Sequence, residues 1–275
     1  MEYTTTLITA LYDIKRNSVD TSSSSLKTLQ DYYVWFKKTL QINAPMVIYT
    51  EEISKSFILE HRPSNYPTKI IIQTLETIPY YNYYSQIETI LKLSEYKSKI
   101  KDPNRIECLI PEYNIIQYSK FEWLKETAHQ NYFKTNYFMW IDAGISRFFP
   151  SIYNPKKVFP QINGINLLKK KKFVIQGRNI IYQINNVSDT DFIWNSINLM
   201  IGTMFGGTKE SIQIISKKIN DCFQTIMLKN MNVNNEQLAL ALVWKHNPEL
   251  FTIFYNHWEN KGLHLPLFIY MATNQ

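Results

Sequence analysis

"YFMWIDAGISRFF", residues 137–149, sets an unbroken apolar run against one carboxylate, Asp142, and then a glycine, in a chain with only seven glycines among 275 residues. Five apolar residues in a row predict a buried strand that ends at the acid. The small residues Ala143 and Gly144 behind it let a ligand approach the backbone. A carboxylate at such a place holds a divalent cation that neutralises a pyrophosphate, or accepts a hydrogen bond from a ribose hydroxyl; the plainer alternative is that it caps the next turn.

Upstream, "TTLITALY" (4–12), "APMVIYT" (44–50) and "TKIIIQT" (68–74) read as three more strands. Between them the apolar residues switch to helical spacing: Leu26, Leu29, Tyr33, Phe36 and Leu40 after a polar "NSVDTSSSS" loop, then Ile87, Ile90 and Leu91, then Phe121, Leu124 and Ala128. Strands alternating with helices predict a single α/β domain with a mostly parallel central sheet and helices on both faces. Ligands of such sheets sit beyond the carboxyl ends of the strands, where "DIKR" (13–16) and "DAG" (142–144) fall. In the second half, "KKKKFVIQG" and "RNIIYQI" (169–184) resemble two paired strands and "INLMIGTMF" (197–205) another. A helix with Ile212, Ile215, Ile219, Cys222 and Ile226 on one face follows, then a shorter one near 235–245.

With 45% hydrophobic, 19% charged and 15% aromatic residues the chain is too apolar to be disordered. Its 19 tyrosines either stack on a flat or sugar-like ligand or simply pack. A net charge of +7 favours an anionic partner. Two distant cysteines make neither a disulfide framework nor a zinc site, which points to a reducing compartment. No basic region precedes a long apolar stretch at the N-terminus, and no apolar run reaches the length of a membrane span, so a cytoplasmic protein without a membrane span is expected.

Three of the seven glycines, Gly202, Gly206 and Gly207, fall in "MIGTMFGGTKES", a strand running into a helix. Consecutive glycines beside the Thr208 hydroxyl suit a ligand loop; otherwise this is a tight turn with Thr208 as helix cap. In "VNNEQLALALV" either Asn234 or Asn235 caps a helix with Glu236 in its first turn. His257, Lys261 and His264 cluster near Gly262, a grouping suited to a metal–pyrophosphate, while Lys169–Lys172 read as a solvated turn before a strand or, as the sharper alternative, a phosphate-tracking patch. G-x-G-x-x-G, the P-loop, G-x-S-x-G, H-E-x-x-H and cysteine-pair metal motifs are absent, which lowers dinucleotide enzymes, P-loop kinases, hydrolases and zinc enzymes. Scattered positive residues without an aromatic RNA-binding or helix-turn-helix pattern argue against nucleic acid.

Taken together, "LITALYDIKR", "YYVWFKKTLQINAPMVIYTEE", "YSKFEWLKETAHQNYF", "FMWIDAGISRFF", "MFGGTKESI" and "NNEQLALALV" resemble the HtrL/YibB family, which is similar to glycosyltransferases of the GT-A fold. That resemblance implies a single GT-A-like, Rossmann-like domain, with residues 1–145 as nucleotide-binding half and 146–275 as acceptor-side half. It implies a sugar transferase using a nucleotide-sugar donor, a UDP-sugar favoured, with a glycan or other hydroxyl acceptor, a Mn²⁺ or Mg²⁺ ion, and room for a homodimer. By the same resemblance Asp142 stands at the metal-binding D-x-D motif, and Ala10, Tyr12 and Asp13 line the base and ribose pocket. Lys120 lies near the donor, and Gly206, Gly207 and Thr208 form a sugar loop. Glu236 and Gln237 face the reacting sugar as catalytic residues, and His257 or His264 completes the metal site. Gly144 stands where the second motif acid belongs, so Arg16, Arg147 or Lys261 is expected to neutralise the diphosphate instead. The competing reading is a catalytically inactive glycan- or nucleotide-binding protein of the same fold.

Overall fold

Every apolar run expected in the first half forms a strand: β1 (Thr5–Leu11), β2 (Met46–Thr50), β3 (Thr68–Ile72) and β4 (Tyr137–Ile141). With β5 (Phe173–Arg178), β6 (Met200–Gly207) and β7 (Phe251–Asn256) they make one sheet in the order β3-β2-β1-β4-β6-β5-β7. This computed structural model describes residues 2–16, 28–151, 153–256 and 265–273. The whole "NSVDTSSSS" loop, Leu26, His257, Lys261 and His264 therefore lie outside the described residues. The pairs β1–β2, β2–β3, β1–β4 and β5–β7 are parallel, and β6 runs antiparallel to both β4 and β5.

Helices α1 (Leu29–Thr39), α2 (Glu52–His61), α3 (Tyr84–Lys92), α4 (Ser94–Lys99) and α5 (Pro111–Gln130) connect the first four strands. Beyond β4 come α6 (Ile162–Leu168), α7 (Asp189–Phe192), α8 (Lys209–Cys222), α9 (Glu236–His246) and α10 (Pro266–Ala272). Alternate strand residues divide between two cores, as the pleat requires. Leu7, Ile48, Met139 and Ile141 pack with Phe36 of α1, Leu168 of α6 and Phe268 of α10. Ile8, Val47, Phe138 and Trp140 pack on the other face with Ile87 of α3, Phe121 of α5, Ile215 of α8 and Leu238 of α9. Helices thus cover both faces of a mostly parallel sheet, as expected. No described helix is long and apolar enough to cross a membrane.

Local chemistry fixes the element ends. Thr28 and Asp31 form a reciprocal capping box on α1, Pro111 opens α5, and Asn131, in the left-handed conformation at φ 44°, closes it. The paired strands expected across 169–184 need correction, because only 173–178 is a strand and "RNIIYQI" turns into a short 3-10 helix over Ile181–Asn186. Both edges of β5 are taken by β6 and β7, while Ile181 and Ile184, one tight turn apart, tuck into the core.

Candidate functional site

Strand β1 has β2 on one side and β4 on the other, so the chain order reverses between β1 and β4. Such a reversal leaves a crevice beyond the strand carboxyl ends, and a pocket of about 200 Å³ lies there. Ala10, Leu11, Tyr12, Ile14 and Arg16 line it from β1 and its exit; Trp140, Asp142, Ala143, Gly144 and Arg147 line it from β4 and its exit. One face of α5 supplies Tyr113, Ile116, Gln117 and Lys120, and α1 supplies Tyr32.

Asp142 is 29% exposed at the side chain and held by two donors on one oxygen. Trp140 Nε1 donates to its Oδ1 at 2.8 Å, and Lys120 Nζ lies 3.1 Å from the same atom. Oδ2 is the oxygen left for a ligand. Lys120 is only 2% exposed and turns its remaining N–H groups inward, to Glu236 Oε1 at 2.9 Å and the Gly202 carbonyl at 3.3 Å. Three oxygens therefore surround one ammonium. Burial favours the neutral amine, but the carboxylates of Asp142 and Glu236 outweigh it and leave the Lys120 pKa above its ordinary value. Glu236 is 1% exposed; burial pushes its carboxyl up from the ordinary value, and Lys120 opposes that rise. Asn235 positions it by capping α9, with the Asn235 side chain accepting from Gln237 N at 3.1 Å. Gly202 makes the room, since a Cβ there would stand 2.1 Å from Glu236 Oε1.

Two guanidinium groups line the same pocket as the acid. Arg16 donates to Tyr32 Oη at 2.6 Å and lies 5.4 Å from the Tyr113 ring centroid. Arg147 stands 5.0 Å from the Trp35 centroid and 4.9 Å from that of Phe148. Aromatic faces hold both cations beside the pocket, where a forked guanidinium suits phosphate oxygens. Tyr12 stacks on Trp123 with centroids 5.6 Å apart and planes 2° from parallel. Its hydroxyl has no partner among the described residues, and burial raises its pKa.

Of the residues expected at the site, the fold brings Ala10, Tyr12, Arg16, Lys120, Asp142 and Arg147 together. Asp13 does not line the pocket and instead pairs with Lys15. Glu236 lies behind Lys120 instead of facing the cavity, and the half-buried Gln237 is not on the pocket wall. Gly206, Gly207 and Thr208 require correction: β6 is antiparallel to β4, Gly207 pairs with Phe138, and these residues sit at the opposite end of the sheet from Asp142. A Cβ on Gly206 would meet the Phe138 carbonyl at 2.1 Å, so that glycine serves close strand packing, and Thr208 caps α8 through Ser211 N. Tyr113, Ile116 and Gln117 were not expected at the site. The signal was present, because they lie seven, four and three residues before Lys120 and share its helix face. Tyr32 carries no such signal.

A divalent cation fits this donor set poorly. Asp142 is the sole carboxylate lining the pocket among the described residues, its Oδ1 is already engaged, and an ammonium stands against it. Among the described residues no three His, Cys, Asp or Glu side chains converge as metal ligands.

A family model described as "Bacterial protein of unknown function (HtrL_YibB)" matches residues 3–263. The chain belongs to the HtrL/YibB family. No curated protein matches it. Among solved structures it is similar to mouse xyloside xylosyltransferase 1 in its apo form, at 10% identity over 100% of this chain and 95% of that one, with a TM-score of 0.44. It is also similar to core-mannan synthase A from Aspergillus fumigatus in a Mn/GDP form, at 10% identity over 94% and 75% of the two chains, TM-score 0.47. A third likeness, to 4-diphosphocytidyl-2C-methyl-D-erythritol synthase from Anaerococcus prevotii, has 11% identity, coverage of 98% and 97%, and a TM-score of 0.35. At these scores the functional reading rests on the pocket itself.

Proposed function

We propose that the HtrL/YibB chain is a cytoplasmic glycosyltransferase that binds a nucleotide-sugar donor, with a UDP-sugar favoured, in the β1/β4 crevice and passes the sugar to a glycan or other hydroxyl acceptor. The observation that carries the reading is the presence of both Arg16 and Arg147 in the lining of one pocket at the sheet's switch point. Two guanidiniums seated on aromatic faces match a diphosphate, whose charge grows as the sugar departs. Ala10 and Tyr12 border the base and ribose, and Gln117 offers an amide able to both donate and accept along a base edge. Asp142 Oδ2 takes a donor hydroxyl. In this reading residues 1–145 carry the nucleotide, Arg147 reaches over it, and the remainder faces the acceptor.

The test is release of nucleoside diphosphate from a panel of UDP-, GDP- and CDP-sugars, slow hydrolysis included. Release by the wild type and its loss in Arg147→Ala are expected; release that persists undiminished in that variant rules out the site. A second reading, an inactive nucleotide- or glycan-binding protein, is favoured by one observation: Glu236 is turned away from the pocket, so Asp142 is the one described carboxylate there to serve as base. Saturable nucleotide-sugar binding without any turnover, even with acceptor glycans present, identifies that case.

A further inference from the structure

The ammonium of Lys120 is enclosed in the way a bound cation is. Asp142 Oδ1, Glu236 Oε1 and the Gly202 carbonyl approach it at 3.1, 2.9 and 3.3 Å, from three separate elements of the fold. Each contribution is arranged. Asp142 is oriented by Trp140, Glu236 by the cap of α9, and the Gly202 backbone reaches the nitrogen because that position has no side chain to collide with Glu236. The Trp140 ring, 5.6 Å from the nitrogen, adds a further face attractive to positive charge. With all three N–H groups directed at these oxygens, Lys120 has none to spend on a ligand phosphate. Its work is to supply fixed positive charge behind Asp142.

We infer that Lys120 is the resident cation of this pocket: it fills the place a divalent metal would take beside Asp142, so a nucleoside diphosphate is bound by Arg16 and Arg147 with no metal ion required. The inference rests on the nucleotide reading above and deepens it. Arg16 and Arg147 at the wall meet the diphosphate with the protein's own charge, while Lys120 is taken up by Asp142 and Glu236 in the way a metal would be, and Gly144 stands where the resemblance places a second acid. A divalent ion entering next to Asp142 meets an ammonium about 3 Å from the same carboxylate, a like-charge contact that disfavours it.

Two measurements test this. In the first, wild-type protein is titrated calorimetrically with UDP, GDP and CDP, in EDTA and in Mn²⁺. The inference expects the affinity of the preferred nucleotide to differ less than about threefold between the two conditions, under 1 kcal/mol. Binding confined to Mn²⁺ overturns the inference and leaves the nucleotide site standing; absence of binding in both conditions refutes the nucleotide site and the inference with it. In the second, thermal unfolding of nucleotide-free wild type and Lys120→Ala is followed with Mn²⁺ or with methylammonium. Emptying the amine leaves two carboxylates and a carbonyl around a gap, so either cation should raise the midpoint of the variant by several degrees while leaving the wild type unmoved. A folded variant indifferent to both cations, or a wild type raised by Mn²⁺, overturns the inference. If Lys120→Ala does not fold, the wild-type titrations alone decide.

Discussion

Replacing Lys120 by methionine tests the buried charge cluster because it keeps most of the stem and removes only the ammonium. Lys120 is 2% and Glu236 1% exposed, so neither partner has water to fall back on. Breaking a buried pair from one side leaves an uncompensated charge and costs about 3–5 kcal/mol, a large share of the roughly 5–15 kcal/mol that holds an average domain together. In a chain of this size each kcal/mol moves the thermal midpoint by about 2–4 °C, so the midpoint at neutral pH should fall by roughly 6–20 °C. The loss should depend on pH. Burial already raises the Glu236 carboxyl, Lys120 opposes that rise, and removing Lys120 lifts it further. A carboxyl whose folded-state pKa exceeds its unfolded one contributes stability that is present at low pH and lost as pH rises through the folded value. The variant should therefore be closer to the wild type near about pH 5 than near about pH 8. Lys120→Met combined with Glu236→Leu removes both buried charges and should recover most of the loss. Circular-dichroism melts of the wild type and the two variants across this pH range provide the assay. A single variant within about 1 kcal/mol of the wild type near pH 8, or a deficit that does not vary with pH, refutes the reasoning.

Other consequences can be read separately. Arg147→Ala should weaken nucleoside diphosphate binding by roughly 10- to 150-fold, the equivalent of about 1.5–3 kcal/mol for a hydrogen bond to a charged group, in a calorimetric titration. Thr208→Ala should lower stability by about 1 kcal/mol through loss of the α8 cap while leaving nucleotide affinity unchanged; a change in affinity would return the "GGT" segment to the site. Gly202→Ala should destabilise by about 1–3 kcal/mol, because the new methyl overlaps Glu236 Oε1, and Gly202→Ala combined with Glu236→Ala should relieve part of that clash in urea unfolding.

The site was legible in the sequence where it depends on strand ends. Apolar runs ending in "DIKR" and "DAG" located both walls of the crevice, because a buried parallel strand is a continuous apolar word and its carboxyl end is where ligands gather. Strand direction has no such signature. Gly206 and Gly207 are spaced like a ligand loop, yet β6 enters the sheet antiparallel and carries them to the far end. "RNIIYQI" is as apolar as a strand, and only the capture of both β5 edges by β6 and β7 forces it into a tight helix. "FTIFYN" forms the edge strand β7, which was not expected from the sequence. Nor did the sequence reveal that Lys120 and Glu236, separated by 116 positions, would be each other's counterions. The resemblance places Lys120 near the donor and Glu236 at the reacting sugar, whereas burial turns them toward one another.

The central claim is that the β1/β4 crevice is a nucleotide site held by arginines, and an equilibrium titration of wild-type protein and Arg16→Ala/Arg147→Ala with UDP, GDP and CDP tests it most directly. One nucleotide should bind the wild type at a single site and lose that binding in a double variant that still melts cooperatively. Absence of binding by all three nucleotides, or binding equally tight in the double variant, contradicts the account.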